Sequence, residues 1–229
     1  MSASFEKGYN ALKEQVDSTV AAFFSSCVHC GMCADACLFY TETGAPERTP
    51  IHKTEPLRRV WKQEYTLLGR IGKLFGIGEK VTDEMMEQWE TLIYDSCTLC
   101  GRCTMVCPVG NDIAGMIRKT REGMAAAGHA PPGLIGATKR AVTIGSPMGV
   151  KLPALQAQIA HVEKDSGMKI PLDVEGADYM LLLSSMEIMN FPEFIDAVAK
   201  IFKHANVSWT ISSEAFEATN SGIQIGASD

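Results

Sequence analysis

The distribution of apolar residues predicts a mainly α protein with a small α/β segment at its C-terminus. Three observations carry this reading. Apolar residues recur at three- and four-residue steps through most of residues 5–127. The two cysteine-rich stretches are separated by a long insertion, residues 38–96, which is patterned as helices. Near the end, two short runs rich in β-branched and large apolar residues flank one amphipathic helix, the order of a βαβ unit.

The elements follow in chain order. Phe5, Tyr9, Leu12, Val16, Val20 and Phe23 predict one helix leading into the first cysteine run. Pro56 opens a second, with Leu57, Val60, Trp61, Tyr65 and Leu68 on one face. Residues 67–81, LLGRIGKLFGIGEKV, are expected to be a packed helix broken at Gly69, Gly72, Gly76 or Gly78. A segment lying at a membrane interface or under a partner subunit is the alternative. Thr82 offers an N-cap and Asp83-Glu84 an acidic first turn to a helix carrying Met85, Met86, Trp89 and Ile93. Another helix runs from about Asp112 to Ala127, stopped by Gly128 and Pro131-Pro132. Trp61, Trp89, Met85, Met86 and Met116 are read as core, with a water-excluding shell around a metal centre as the functional alternative.

Past residue 133 a stretch punctuated by glycine and proline reads as a connector, with a short helix over Ala154 to Lys164. Asp178 to Ser184 reads as a buried strand, and Pro192 opens a helix with Phe194, Ile195, Val198, Ile201 and Phe202 on one side. Asn206 ends it, and Val207 to Ile211 supplies the second strand. The expected organisation is a helical domain holding both cysteine runs over 1–133, a connector over 134–175 and a βαβ segment over 176–229. One crossover buries little surface, so the tail is expected to pack on the first domain or to complete a sheet in another chain.

All eight cysteines fall into two copies of one pattern, Cys27-Cys30-Cys33-Cys37 and Cys97-Cys100-Cys103-Cys107. Three thiolates at successive three-residue steps wrap one corner of a 4Fe-4S cube, and the fourth leaves toward a second cube, as in two-cluster ferredoxins. That logic assigns cluster I to Cys27, Cys30, Cys33 and Cys107, and cluster II to Cys97, Cys100, Cys103 and Cys37. Pro108 after Cys107 matches the usual Cys-Pro ending, and Leu38 after Cys37 departs from it. Gly31 and Gly101 hold equivalent places, where the loop needs positive φ or must turn amides toward a buried anion. Ser26 and Ser96 precede the two runs, either as donors to sulfur or as helix-end residues. His29 lies inside the first run and is expected to face solvent or backbone, because four thiolates are already present. Structural zinc is the rival, but zinc sites take two separated Cys pairs.

The formal charge is −6, and the basic groups Arg58-Arg59, Arg118-Lys119-Arg121 and Lys139-Arg140 are short and scattered. They read as solvated helix faces, which argues against nucleic acid. No stretch has the roughly 18 to 20 apolar residues of a membrane span. The opening MSASFEKGYN lacks the basic and apolar regions of a secretory signal, so disulfides are not expected and a cytoplasmic location is. GIGEK at 76–80 is too short for a phosphate loop, and no nucleophile-base pairing or nicotinamide fingerprint appears.

Two CxxCxxCxxxC runs separated by a long helical insert resemble the α-helical ferredoxin module of the heterodisulfide reductase C subunit. That module also occurs in iron-sulfur subunits of succinate dehydrogenase, glycolate oxidase and anaerobic glycerol-3-phosphate dehydrogenase. The resemblance covers residues from about 20 to 125. The continuation, GMKIPLDVEGADYMLLLSSMEI with VSWTISSEAFEATNSG after the helix, looks like the opening half of a CCG domain. Ser185 stands where such domains carry a cysteine, and Asn220-Ser221-Gly222 where they carry Cys-Cys-Gly. Hydroxyl and amide groups do not replace soft thiolates, so this half-domain is expected to hold no cluster, and the chain ends before a second half begins.

The resemblance implies a non-catalytic electron-transfer subunit of a heterodisulfide reductase-like complex, as found in sulfur metabolism. Its two 4Fe-4S clusters would relay single electrons between a flavin- and iron-sulfur-bearing A-type subunit and a CCG-type catalytic B subunit. The alternatives are the iron-sulfur subunit of a membrane-associated dehydrogenase or quinone reductase, peripherally attached through residues 67–81, and a non-redox scaffold with structural clusters.

Overall fold

A computed structural model of the protein describes residues 3–77, 80–217, 219 and 221–226. Most of these are helical, as the periodicity predicts. The chain divides into two compact units, one of residues Met1–Pro132 with Gly222–Asp229 and the other of Gly133–Ser221.

The first unit contains helices α1 (Ala3–Glu14), α2 (Ser18–Ser26), α3 (Met32–Asp35), α4 (Leu38–Thr41), α5 (Glu55–Tyr65), α6 (Leu67–Leu74), α7 (Asp83–Glu90), α8 (Arg102–Met105) and α9 (Ile113–Ala126). Its core is built from Leu12, Val20, Leu57, Met86, Ile93 and Met124, all inaccessible to solvent. Helices α1 and α9 pack closely. The closeness depends on small residues: a Cβ on Gly8 would stand 2.5 Å from that of Ala127, and one on Gly123 would strike Leu12. The end of the chain is tied to this unit, because the Tyr94 hydroxyl donates to the Ile225 carbonyl at 2.8 Å and the Arg121 guanidinium donates to that of Gln224.

The helix predicted over Phe5 to Phe23 is two helices. Asp17 breaks it by capping α2, its carboxylate accepting the Val20 N–H at 3.0 Å. The Pro56 helix likewise ends at Tyr65, because Thr66 turns extended and accepts the Gly69 N–H to start α6. Leu68 therefore does not continue the stripe, and it is 82 % exposed. Helix α6 buries none of its residues, which corrects the expected packed helix. Gly78 and Glu79, part of the expected glycine break and of GIGEK, lie outside the described residues. The Thr82 and Asp112 caps are present, accepting the N–H groups of Met85 and Gly115. Gly128 follows α9 with φ +86°. Helix α7 runs on into a π-helical turn, Thr91–Asp95, which delivers the chain to the second cysteine run.

The second unit holds α10 (Pro132–Ile144), α11 (Leu152–Ser166), β1 (Tyr179–Met180), α12 (Ser185–Asn190), α13 (Pro192–His204) and β2 (Trp209–Thr210). The strands pair in parallel, Tyr179 opposite Trp209, which is the predicted crossover. Leu155, Ile159 and Val162 of α11 share one core with Leu183, Ile188, Ile195 and Ile211, so the helix expected within the connector helps to build this unit. Two expectations are corrected here. Tyr179 and Met180 are exposed and the burial falls on Leu183 and, in the paired strand, on Trp209, although the Tyr179 ring stacks on that of Phe202 with centroids 6.4 Å apart. On α13 the buried stripe is Ile195 and Ala199, leaving Ile201 62 % exposed.

Candidate metal centre

The two cysteine runs fold alike. Each begins in a loop where a non-glycine residue, His29 or Leu99, takes φ +53°. Each then turns through a left-handed glycine, Gly31 at φ +86° or Gly101 at φ +78°, into a single helical turn, α3 or α8. Positive φ at the glycines is what the sequence predicts, and the conformation of His29 and Leu99 carries no signal in it. Helices α3 and α8 pack against each other. This brings the two runs to one place in the first unit.

Two cavities of about 140 and 230 Å³ result. The smaller is bounded by Cys27, Cys30, Cys33 and Cys107, with Phe23, Ile51, Pro108 and Ile113 as an apolar wall. The larger is bounded by Cys37, Cys97, Cys100 and Cys103, with Leu38, Phe39, Pro50 and Ile117 around them. In each, three cysteines come from one run and the fourth from the other. Pro108 and Asn111 also border the first, and the Asn111 side chain accepts the Ser26 hydroxyl at 3.0 Å. Ser26 and Ser96 direct their hydroxyls to the carbonyls of Phe23 and Thr91 at the preceding helix ends, the plainer of the two readings of these serines. His29 is exposed at the mouth of the smaller cavity.

The thiols feel each other's charge. Burial, then the charges of Cys27 and Cys30, pushes the Cys33 thiol up. Burial, then Cys97, pushes the Cys103 thiol up to about 11, with Cys100 and Cys33 adding to it. Crowded thiols of this kind are stable as thiolates only with a cationic group among them, and soft sulfur selects iron-sulfur or zinc. A four-thiolate zinc site closes on one ion with Zn–S near ~2.3 Å. The smaller cavity alone has roughly ten times the space of one water. Among the described residues, no three His, Cys, Asp or Glu side chains draw together as tightly as a single ion needs. Four soft donors around a roomy, largely apolar cavity fit a cubane better than an ion. In the second run the Leu99 N–H also donates to Cys97 Sγ at 3.4 Å.

Residues 24–111 match the family model of the 4Fe-4S dicluster domain. Over these residues, 88 of the chain's 229, the chain is similar to 4Fe-4S dicluster proteins. It is 35 % identical over 113 residues, 47 % of its length and 20 % of the relative's, to the Hdr-like menaquinol oxidoreductase iron-sulfur subunit of Archaeoglobus profundus. It is 32 % identical over 95 residues, 42 % of its length and 17 % of the relative's, to the Hdr-like menaquinol oxidoreductase iron-sulfur subunit 2 of Archaeoglobus fulgidus. The chain thus aligns with about a fifth or less of the curated relatives it matches. No solved structure matches it.

Three cations near these cavities are not singled out as functional by the sequence. Lys53 is 1 % exposed, and its ammonium donates to the Ser96 carbonyl at 2.5 Å, lies 3.9 Å from Cys37 Sγ and covers the Phe39 ring. Burial pushes its pKa down, and the charges of Cys37, Cys97 and Cys103 push it up. Arg121 is 4 % exposed, which corrects its reading as part of a solvated face. It stacks over Tyr94 and donates to the carbonyls of Ile93 at 2.7 Å and Cys97 at 2.5 Å. Its position between Ile117 and Met124 on the buried stripe of α9 is a legible signal, whereas Lys53 sits in a 3₁₀ turn with none. The third, Arg102, lines the larger cavity from the exposed side.

Proposed function

We propose that this chain relays single electrons through two 4Fe-4S clusters as a non-catalytic subunit of a heterodisulfide reductase-like complex. Cluster I rests on Cys27, Cys30, Cys33 and Cys107, and cluster II on Cys97, Cys100, Cys103 and Cys37. The observation that carries the reading is the pair of cysteine-lined cavities, each taking its fourth thiol from the opposite run.

When bound, each cluster supplies a one-electron couple. The chain's own residues do the rest. Phe23, Ile51 and Ile113 keep water from the first centre, and Phe39 and Ile117 from the second. The Leu99 N–H stabilises charge on Cys97 sulfur, one of the ways a protein sets potential. The packing of α3 on α8 would hold the two centres side by side.

The βαβ segment over 176–229 is read as a CCG-like half-domain without ligands. The buried Ser185 hydroxyl donates to Glu217 at 2.6 Å and lies 3.1 Å from that of Ser146, a hard oxygen network unsuited to iron-sulfur ligation. Asn220 and the Ser221 side chain, which complete the comparison with CCG domains, lie outside the described residues.

A second reading is favoured by one observation. Leu67, Leu68, Leu74, Phe75 and Ile77 are each at least 70 % exposed, and the relatives named above are menaquinol oxidoreductase subunits. No helix is long and apolar enough to cross a membrane among the described residues. In this reading α6 attaches the chain to a membrane-bound quinone-reactive partner. Anaerobic co-purification separates the two. A flavin- and iron-sulfur-bearing A-type subunit with a CCG-type B subunit supports the first, and a cytochrome or quinone-site subunit supports the second.

A further inference from the structure

The two runs nearly repeat in sequence and in backbone, yet their electrostatic surroundings differ. No Lys, Arg, Asp or Glu lines the cavity of Cys27, Cys30, Cys33 and Cys107. Lys53 and Arg102 line the cavity of Cys37, Cys97, Cys100 and Cys103, and Arg121 holds the Cys97 carbonyl from behind. Arg102 occupies the place that Met32 has in the first run. Burying an ammonium as deeply as Lys53 is costly unless an opposing charge faces it. Its fixed partner is one neutral carbonyl, and the sulfur beside it is a cysteine that belongs in sequence to the other run.

We propose that Lys53, assisted by Arg102 and Arg121, makes the centre on Cys37, Cys97, Cys100 and Cys103 the higher-potential member of the pair. This inference rests on the crossed two-cluster reading above. Reduction adds one negative charge to a centre, and a fixed positive charge beside it stabilises the reduced form, most strongly where water does not screen it. An electron delivered to the first centre therefore passes to the second. The first returns to its oxidised state, the second takes one electron, and no bond forms or breaks. Lys53 is a positioning charge in this scheme, acting on the potential through space.

The test is a redox titration of the anaerobically reconstituted full chain with dithionite and mediators, followed by electron paramagnetic resonance. Cys30→Ser and Cys100→Ser assign the two signals. In the wild type, the signal altered by Cys100→Ser should appear at the higher potential. Lys53→Met should lower that midpoint enough to reduce the ratio of reduced to oxidised centre at least tenfold, ~59 mV for one electron, and leave the other midpoint in place. Lys53→Arg should restore most of the difference. Arg102→Met should act in the same direction but more weakly, because solvent screens it. Met32→Arg should raise the first centre instead. Should Lys53→Met fail to fold, these last two exposed positions still decide the matter. A second centre reduced last in the wild type, or midpoints that none of these charge changes moves, would overturn the inference. Fewer than eight irons per wild-type chain would instead refute the two-cluster reading beneath it.

Discussion

His29 and Leu99 share one left-handed backbone conformation, φ +53° at each, at equivalent places in the two cysteine runs. A side chain in this region costs about 1 to 2 kcal/mol, and both copies of the loop accept it. In the proposed site this conformation lets three thiols face one centre within seven residues, Cys27 to Cys33 and Cys97 to Cys103. Leu99→Gly should leave stability unchanged or raise it by up to ~1 kcal/mol, and Leu99→Val should lower it. Gly31→Ala and Gly101→Ala meet no atom within 4 Å, so their cost should be the backbone term alone, about 1 to 2 kcal/mol. Anaerobic denaturant unfolding of the holoprotein measures all four.

The proposed exchange of fourth ligands gives a selective prediction. Cys107→Ser should disturb the cluster of Cys27, Cys30 and Cys33 and spare the one nearer in sequence, and Cys37→Ser should do the reverse. Selective loss of the sequence-adjacent cluster in either variant would reverse the assignment.

Asp17 links folding to pH. Hydrogen bonds from the Thr19 hydroxyl, the Val20 N–H and Lys119 hold its carboxyl well below the usual carboxylate range. A depressed folded pKa contributes stability that is complete above the unfolded value, near 3.8, and is lost as the pH falls toward the folded one. Asp17→Asn keeps a capping side chain but removes the charge. Its deficit relative to wild type should be present at pH 6 and shrink below about pH 4, read by far-ultraviolet circular dichroism. The Lys119 pair is exposed, so the deficit should be small.

The apolar face of α6 should matter for association and not for folding. Leu68→Ser and Leu74→Ser alter side chains that are each 82 % exposed. Iron content and unfolding midpoint should stay at wild-type values while co-purification with partner subunits weakens. A loss of iron in these variants would show that the face serves the cluster module itself.

Helical periodicity made most of the first unit legible, because Leu57, Val60, Met85, Met86 and Met116 do face its core. The breaks at Asp17 and Thr66 were less legible. Each is a single side chain capping the next helix within an otherwise continuous apolar pattern, and local hydrogen bonding overrides the stripe there. The cysteine spacing pointed to both cavities. It said nothing of Lys53, since a lysine in a short turn is buried only through contacts with Ser96 and Phe39, which are distant in sequence. The strands failed differently. Tyr179 and Met180 belong to an apolar run but stay exposed, while Leu183 and the paired Trp209 are buried under the helices, a division that an unbroken apolar run does not reveal.

The central claim is two cubanes held by eight thiolates, and metal and sulfide analysis of the anaerobically purified chain, with electron paramagnetic resonance of the reduced protein, tests it most directly. The account predicts about eight irons and eight sulfides per chain, with signals from two 4Fe-4S centres. Bound zinc without iron, or four irons and a single signal, would contradict it.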